Sequence, residues 1–219
     1  MENIEFIIKV IDVNQPMAEN PIRFSTIGVL LKGARKLSGR DLTNGEYVKN
    51  ELNTQNFDEQ TYHSNLLTGL INYLIFLEQL GSIFKIKNKS ASKYTNPIYL
   101  ALENFSTLSE KKINVIRALR NSLTHNYGLA TKNTGNNKLM HKFIISIERN
   151  NEIVAFPLNE WNGDFSSKSD NSNTTIYIID LIDLIEIVYL RLKEKLNSDN
   201  VDLKISFNEL KARYTFILE

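Results

Sequence analysis

One stretch of eight residues, Arg120-Asn121-Ser122-Leu123-Thr124-His125-Asn126-Tyr127, brings together a fixed cation, an imidazole, amides and a phenol. On an α-helix each residue turns by roughly 100°, so Arg120 at zero puts Thr124 near 40°, Asn121 near 100° and His125 near 140°. Leu123 falls on the opposite side at about 300°, in line with Leu119 and Ile116, and Tyr127 lies about 20° behind Arg120. One helix therefore presents a polar sector while its other side packs into a core. Asn121 and His125 stand four apart, a spacing that lets the amide orient the ring. These residue types suit phosphodiester chemistry without a metal. Histidine titrates near neutrality and can take or give the proton of a ribose hydroxyl or leaving oxygen. Arginine offers a fork of donors that matches phosphate and stabilises developing charge. RNA supplies its own nucleophile, the 2′-hydroxyl. One histidine and one arginine are sparse for both acid and base, and a symmetric dimer would double the inventory.

Arg120-Asn121, three further residues and His125 resemble the R-N-x-x-x-H signature of the HEPN superfamily. Tyr127 extends the likeness to the R-x4-H-x-Y form of HEPN toxins paired with a minimal nucleotidyltransferase antitoxin. The resemblance covers eight residues, near the end of a helix that follows one apolar helix and precedes another. It implies an all-α, HEPN-like helical bundle that dimerises with the motifs of both chains facing one cleft. It further implies a metal-independent endoribonuclease, without cofactor, that commonly leaves a cyclic phosphate in toxin–antitoxin or phage-defence settings. His125 would then be the general acid or base, Arg120 the phosphate clamp and Asn121 a positioning residue. Tyr127 becomes a candidate for modification with AMP by an antitoxin partner. The alternative within the family is an inactive module that dimerises and binds RNA or a partner protein. An unrelated helical protein with a coincidental motif is the third possibility.

Other residues offer weaker chemistry. Arg117, one turn before Asn121, either helps to hold phosphate or is a solvated helix charge. Lys85, Lys87, Lys89 and Lys93, with Tyr94 beside them, either track an RNA backbone or decorate a solvated loop. His63 and His141 lack a partner at metal-ligand spacing. Asp180, Asp183 and Glu186 recur every third residue and read as the wet side of an amphipathic helix. With no cysteines, disulfides, a thiol nucleophile and thiolate-bound zinc are excluded. A net charge of +1 argues against nonspecific binding to nucleic acid or to a membrane surface, so any RNA must meet a local patch. No P-loop, dinucleotide fingerprint or nucleophile elbow is present. The start of the chain lacks the pattern of a signal peptide, and the apolar run 176–190 is broken by its acids. The expectation is a cytoplasmic protein with no membrane span.

The surrounding elements follow from period and punctuation. Residues 4–13 fit a strand or a short helix, and a helix opens at Pro21 and runs to Leu37. Residues 40–58 read as loop with some helix. An apolar helix from Glu59 stops at Gly81, and 83–95 form an exposed loop. A short helix spans 97–105. Thr107 and Glu110 have the spacing of a capping box that opens the motif helix, which ends at Tyr127-Gly128. Residues 131–138 look turn-rich. The runs 143–147 and 153–156 suggest a β-hairpin, and 162–174 a mobile loop. Asn173 or Thr174 would cap a long helix reaching Leu196, and 201–219 stay open between strand and helix. The expected whole is a single domain over 1–219, a bundle with a hairpin and loop insertion at 140–172.

Overall fold

A computed structural model describes residues 2–12, 18–19, 22–48, 59–133, 139–166 and 170–217. Along the chain come α1 (Glu2–Ile11), β1 (Ala18–Glu19), β2 (Ile22–Ser25), α2 (Thr26–Leu37), α3 (Glu59–Ile83) and β3 (Phe84–Ile86). Next are α4 (Pro97–Phe105), α5 (Glu110–Asn126), β4 (Ala130–Asn133), β5 (Leu139–Ser146) and β6 (Val154–Ala155). A short 3-10 turn leads into β7 (Asn173–Tyr177), then α6 (Ile178–Asn197), β8 (Val201–Leu203), α7 (Phe207–Tyr214) and β9 (Thr215–Ile217).

Helix α3 is the centre. Tyr73, Leu74, Phe76, Leu77 and Leu80 expose no surface, and α2, α4, α5 and α6 surround them. Among the described residues, Thr61–Ile83 is the one stretch long and apolar enough to cross a membrane, and here it is the core helix. Gly81 does not stop it. A Cβ there would lie 1.8 Å from the Pro97 carbonyl oxygen, so the glycine lets the start of α4 rest on α3.

The all-α expectation is overturned: among the described residues three sheets accompany the helices, and the fold is mixed α and β. One joins β1, β2 and β9, a second pairs β3 with β8, and the third has the order β4-β5-β7-β6. The expected hairpin is not formed either. Strand β7 lies between its two arms, parallel to β5 from Lys142↔Asn173 to Ser146↔Tyr177 and antiparallel to β6 at Val154↔Ile176. The seven residues between β5 and β6 are too many for a tight turn, and the Asn150 N–H is tied instead to the Asp180 carboxylate. Asn173 and Thr174 therefore serve the ladder, and Tyr177 stands at the start of α6 with no side-chain cap.

Local signals were displaced in the same way. Ser25, not Pro21, opens α2, its hydroxyl accepting from the Gly28 N–H at 3.1 Å, because residues 23–25 pair with β9. The 83–95 loop begins as β3, and the 131–138 loop begins as β4, whose partner is β5. The Thr107–Glu110 box is not made. Ser109 caps α5, and the Glu110 carboxylate goes to Lys93 and Tyr94. Residues 49–58, 134–138 and 167–169 of the expected loops lie outside the described residues.

Candidate functional site

Helix α5 buries Ile113, Ile116, Leu119 and Leu123 and turns its other side outward, as its pattern requires. The Ser122 hydroxyl, fully buried, donates to the carbonyls of Gly128 and Ala130 at 2.8 and 2.9 Å. It has one hydrogen, so the two acceptors share it. This fixes the path by which the chain leaves the helix. Tyr127 ends α5 in the left-handed region, φ 50°, its N–H donating to the Ser122 carbonyl. Its side chain is 74% exposed.

Arg120 and His125 come together at this helix end. Nη1 of Arg120 lies 3.2 Å from Nε2 of His125 and 3.1 Å from Oδ1 of Asn121. A guanidinium can only donate, so Nε2 accepts, and in this arrangement the ring is neutral with its hydrogen on Nδ1. The expected pairing of Asn121 with His125 is replaced by a relay in which Arg120 touches both. Nη2 of Arg120 is bound by the carboxylate of Glu78 on α3. Both side chains are about four-fifths buried, and a carboxylate partner makes that position tolerable for the cation. Arg120 Nε is buried and unpaired among the described residues.

Glu78 was missed by spacing arguments because it belongs to a different helix. Its signal is contextual: it is the sole charged residue between His63 and Lys85, in a run that otherwise packs a core.

Arg117 sits on the same outward face of α5 and makes no ion pair among the described residues. The lysine group behaves differently. Lys87 pairs with Asp199 at 2.6 Å, Lys89 with Glu103 at 3.4 Å and Lys93 with Glu110 at 2.8 Å. Lys85 alone of the four lacks a carboxylate partner among the described residues, so this patch offers RNA little uncompensated charge. His63 lies within α3, and His141 sits on β5 with Nδ1 3.0 Å from the Thr174 hydroxyl. Among the described residues, no three His, Asp or Glu side chains converge as a metal site.

The acidic stripe of α6 is not simply wet. Glu186 is buried and holds the fully buried Arg35 by two hydrogen bonds of 2.9 and 2.7 Å, and the Tyr73 hydroxyl donates to it at 2.5 Å. Burial, with the Glu186 carboxylate adding to it, pushes the Tyr73 phenol far above its ordinary value. Asp183 binds Arg40 and, at 2.7 Å, Arg149. The Arg35 and Arg40 pairs clamp α2 and the following turn to α6, and Arg149 ties the segment between β5 and β6 to the same helix.

No protein-family description, curated protein or solved structure matches the chain.

Proposed function

We propose that this protein is a metal-independent endoribonuclease of HEPN type that works as a homodimer. The observation that carries the proposal is the 3.2 Å contact between Arg120 and His125 on an open helix end, with Arg120 anchored by Glu78. A phosphate entering the site competes for the Arg120 fork. As Nη1 turns to a phosphate oxygen, His125 Nε2 is uncovered, and its lone pair can take the proton of a 2′-hydroxyl. The resulting alkoxide attacks the adjacent phosphorus, the bond to the 5′-oxygen breaks, and a 2′,3′-cyclic phosphate remains. The leaving oxygen needs a proton, which a protonated His125 of a second copy supplies across a shared cleft. Arg120 balances the extra negative charge of the transition state. A toxin or phage-defence setting, and a nucleotidyltransferase partner that modifies Tyr127, rest on the resemblance alone.

One observation favours a second reading, an inactive dimer that binds RNA or a protein. Both terminal nitrogens of Arg120 are already engaged by its own chain, and a site held that tightly could serve only structure. Cleavage of total RNA in EDTA decides between them. In the first reading, His125→Ala and Arg120→Ala each abolish cleavage and keep the fold. RNA binding without cleavage by the wild-type protein supports the second.

A further inference from the structure

The α5 face that carries Asn121 and His125 continues toward the start of the helix. Asn114 precedes Asn121 by seven residues, which places it about 10 Å along the axis and only about 20° off the same face. Arg117 lies between them. Asn114 lines a cavity of about 270 Å³ enclosed by α5, β5 and the segment after β6. That volume is slightly below the roughly 300–1,000 Å³ of sites for whole small molecules, and it suits a single flat ring.

The lining is mixed in the manner of a base site. Trp161 is almost fully buried, its Nε1–H donating to the Asp164 carbonyl at 3.1 Å, which fixes the plane of the indole. The Lys111 ammonium stands 4.1 Å over the Phe156 ring at the rim. The side-chain oxygen of Asn114 is shielded from water and accepts no hydrogen bond among the described residues. Glu160 adds an exposed carboxylate. His141 and Thr174 close the floor. Burial holds the His141 imidazole below its ordinary value of 6.5, against a smaller opposing pull from Glu160, so at neutral pH it is an uncharged partner.

The exposed rim carboxylate of Glu160 asks for N–H donors and the exposed Phe156 ring offers a π-face, while Asn114 Oδ1, closed to water, adds an acceptor once its amide turns toward the cavity. We infer that this cavity is the subsite for an amine-bearing nucleobase (adenine, cytosine or guanine) of the RNA strand, whose backbone runs past Arg117 to Arg120 and His125. Uracil, which has no exocyclic amine, is disfavoured there. The strand direction rests on the nuclease reading; base capture in the cavity does not.

Trp161 is the only tryptophan of the chain, so its fluorescence reports the cavity directly. The test uses His125→Ala protein, which leaves RNA intact, titrated with AMP, CMP, GMP, UMP and a tetranucleotide RNA. Saturable change is expected for the amine-bearing nucleotides, with UMP about tenfold weaker. Asn114→Leu is expected to weaken them about tenfold at unchanged circular dichroism. If that variant misfolds, Glu160→Gln at the exposed rim must lower the preference over UMP. The RNA is expected to bind about tenfold tighter than AMP, with Arg117→Ala removing most of the gain. No saturable change up to about 5 mM, or no effect of both cavity variants, overturns the assignment. Nucleotide binding with no gain for RNA also overturns it, giving the cavity to a free nucleotide. Base binding that persists while the wild type cleaves nothing would overturn the nuclease reading and leave the subsite standing.

Discussion

Arg120 Nη1 reaches His125 Nε2 at 3.2 Å although the two residues sit five positions apart, a separation that puts them about 140° apart around the helix. Only a long side chain bent along the surface makes that contact, and Glu78 holds its far end. In the proposed ribonuclease Glu78 is thus a positioning residue. In Glu78→Gln the guanidinium loses its anchor but keeps its charge, so phosphate can pull it away from the reacting geometry. For RNA cleavage, kcat is expected to fall about tenfold or more while KM stays or decreases. A rise in KM at unchanged kcat would assign Glu78 to substrate binding instead.

The Arg35–Glu186 pair gives a prediction about stability. Arg35 has no exposed surface, and Glu186 supplies both of its carboxylate contacts. Glu186→Gln leaves a buried cation without its counterion and is expected to cost about 3–5 kcal/mol in urea unfolding. A loss below about 1 kcal/mol would mean that water or another acid replaces Glu186.

Two glycines in helices separate close approach from mere composition. Gly81→Ala would force a methyl to 1.8 Å from the Pro97 carbonyl, and a cost of at least about 1–3 kcal/mol is expected from the displaced α4. At Gly33 in α2 the nearest atom to such a methyl is 3.9 Å away, and Gly33→Ala should stabilise the protein by about 0.5–1 kcal/mol. Thermal unfolding of the two variants reads both signs.

His141 supplies a pH dependence. Burial lowers its folded-state value below 6.5, with Glu160 opposing and Lys111 assisting. The unfolded chain then binds the proton more readily. The contribution of His141 to stability is therefore full above about 6.5 and is lost as pH falls toward the folded value. Melting curves between pH 5 and pH 8 should show a smaller acid-side loss for His141→Gln than for the wild type. An equal or larger loss in the variant contradicts this assignment.

The legible parts of the sequence were those governed by local pattern. The motif helix ends where Tyr127 and Gly128 predict it, and α4 spans 97–105. Long-range pairing was not legible. Residues 173–177 look like the lead-in to a helix, and only the presence of β5 and β6 beside them makes a central strand. Glu110 has the right offset for a capping box, yet Lys93 and Tyr94 offer it a charge partner and a phenol from another segment. Gly81 reads as a stop because sequence cannot show that α4 presses on it. The period-three acids of α6 read as wet, since an alternation of acid and apolar residues does not reveal Arg35 and Arg40 opposite. Asn121 was expected on His125, and Arg120 took that place because it is the longer and charged partner.

The most direct measurement is the chemistry of RNA ends produced in EDTA by purified wild-type and His125→Ala protein, read by mass spectrometry. The account predicts 2′,3′-cyclic phosphate and 5′-hydroxyl ends from the wild type and none from the variant. Full cleavage by His125→Ala, or wild-type activity that vanishes in EDTA, would contradict it.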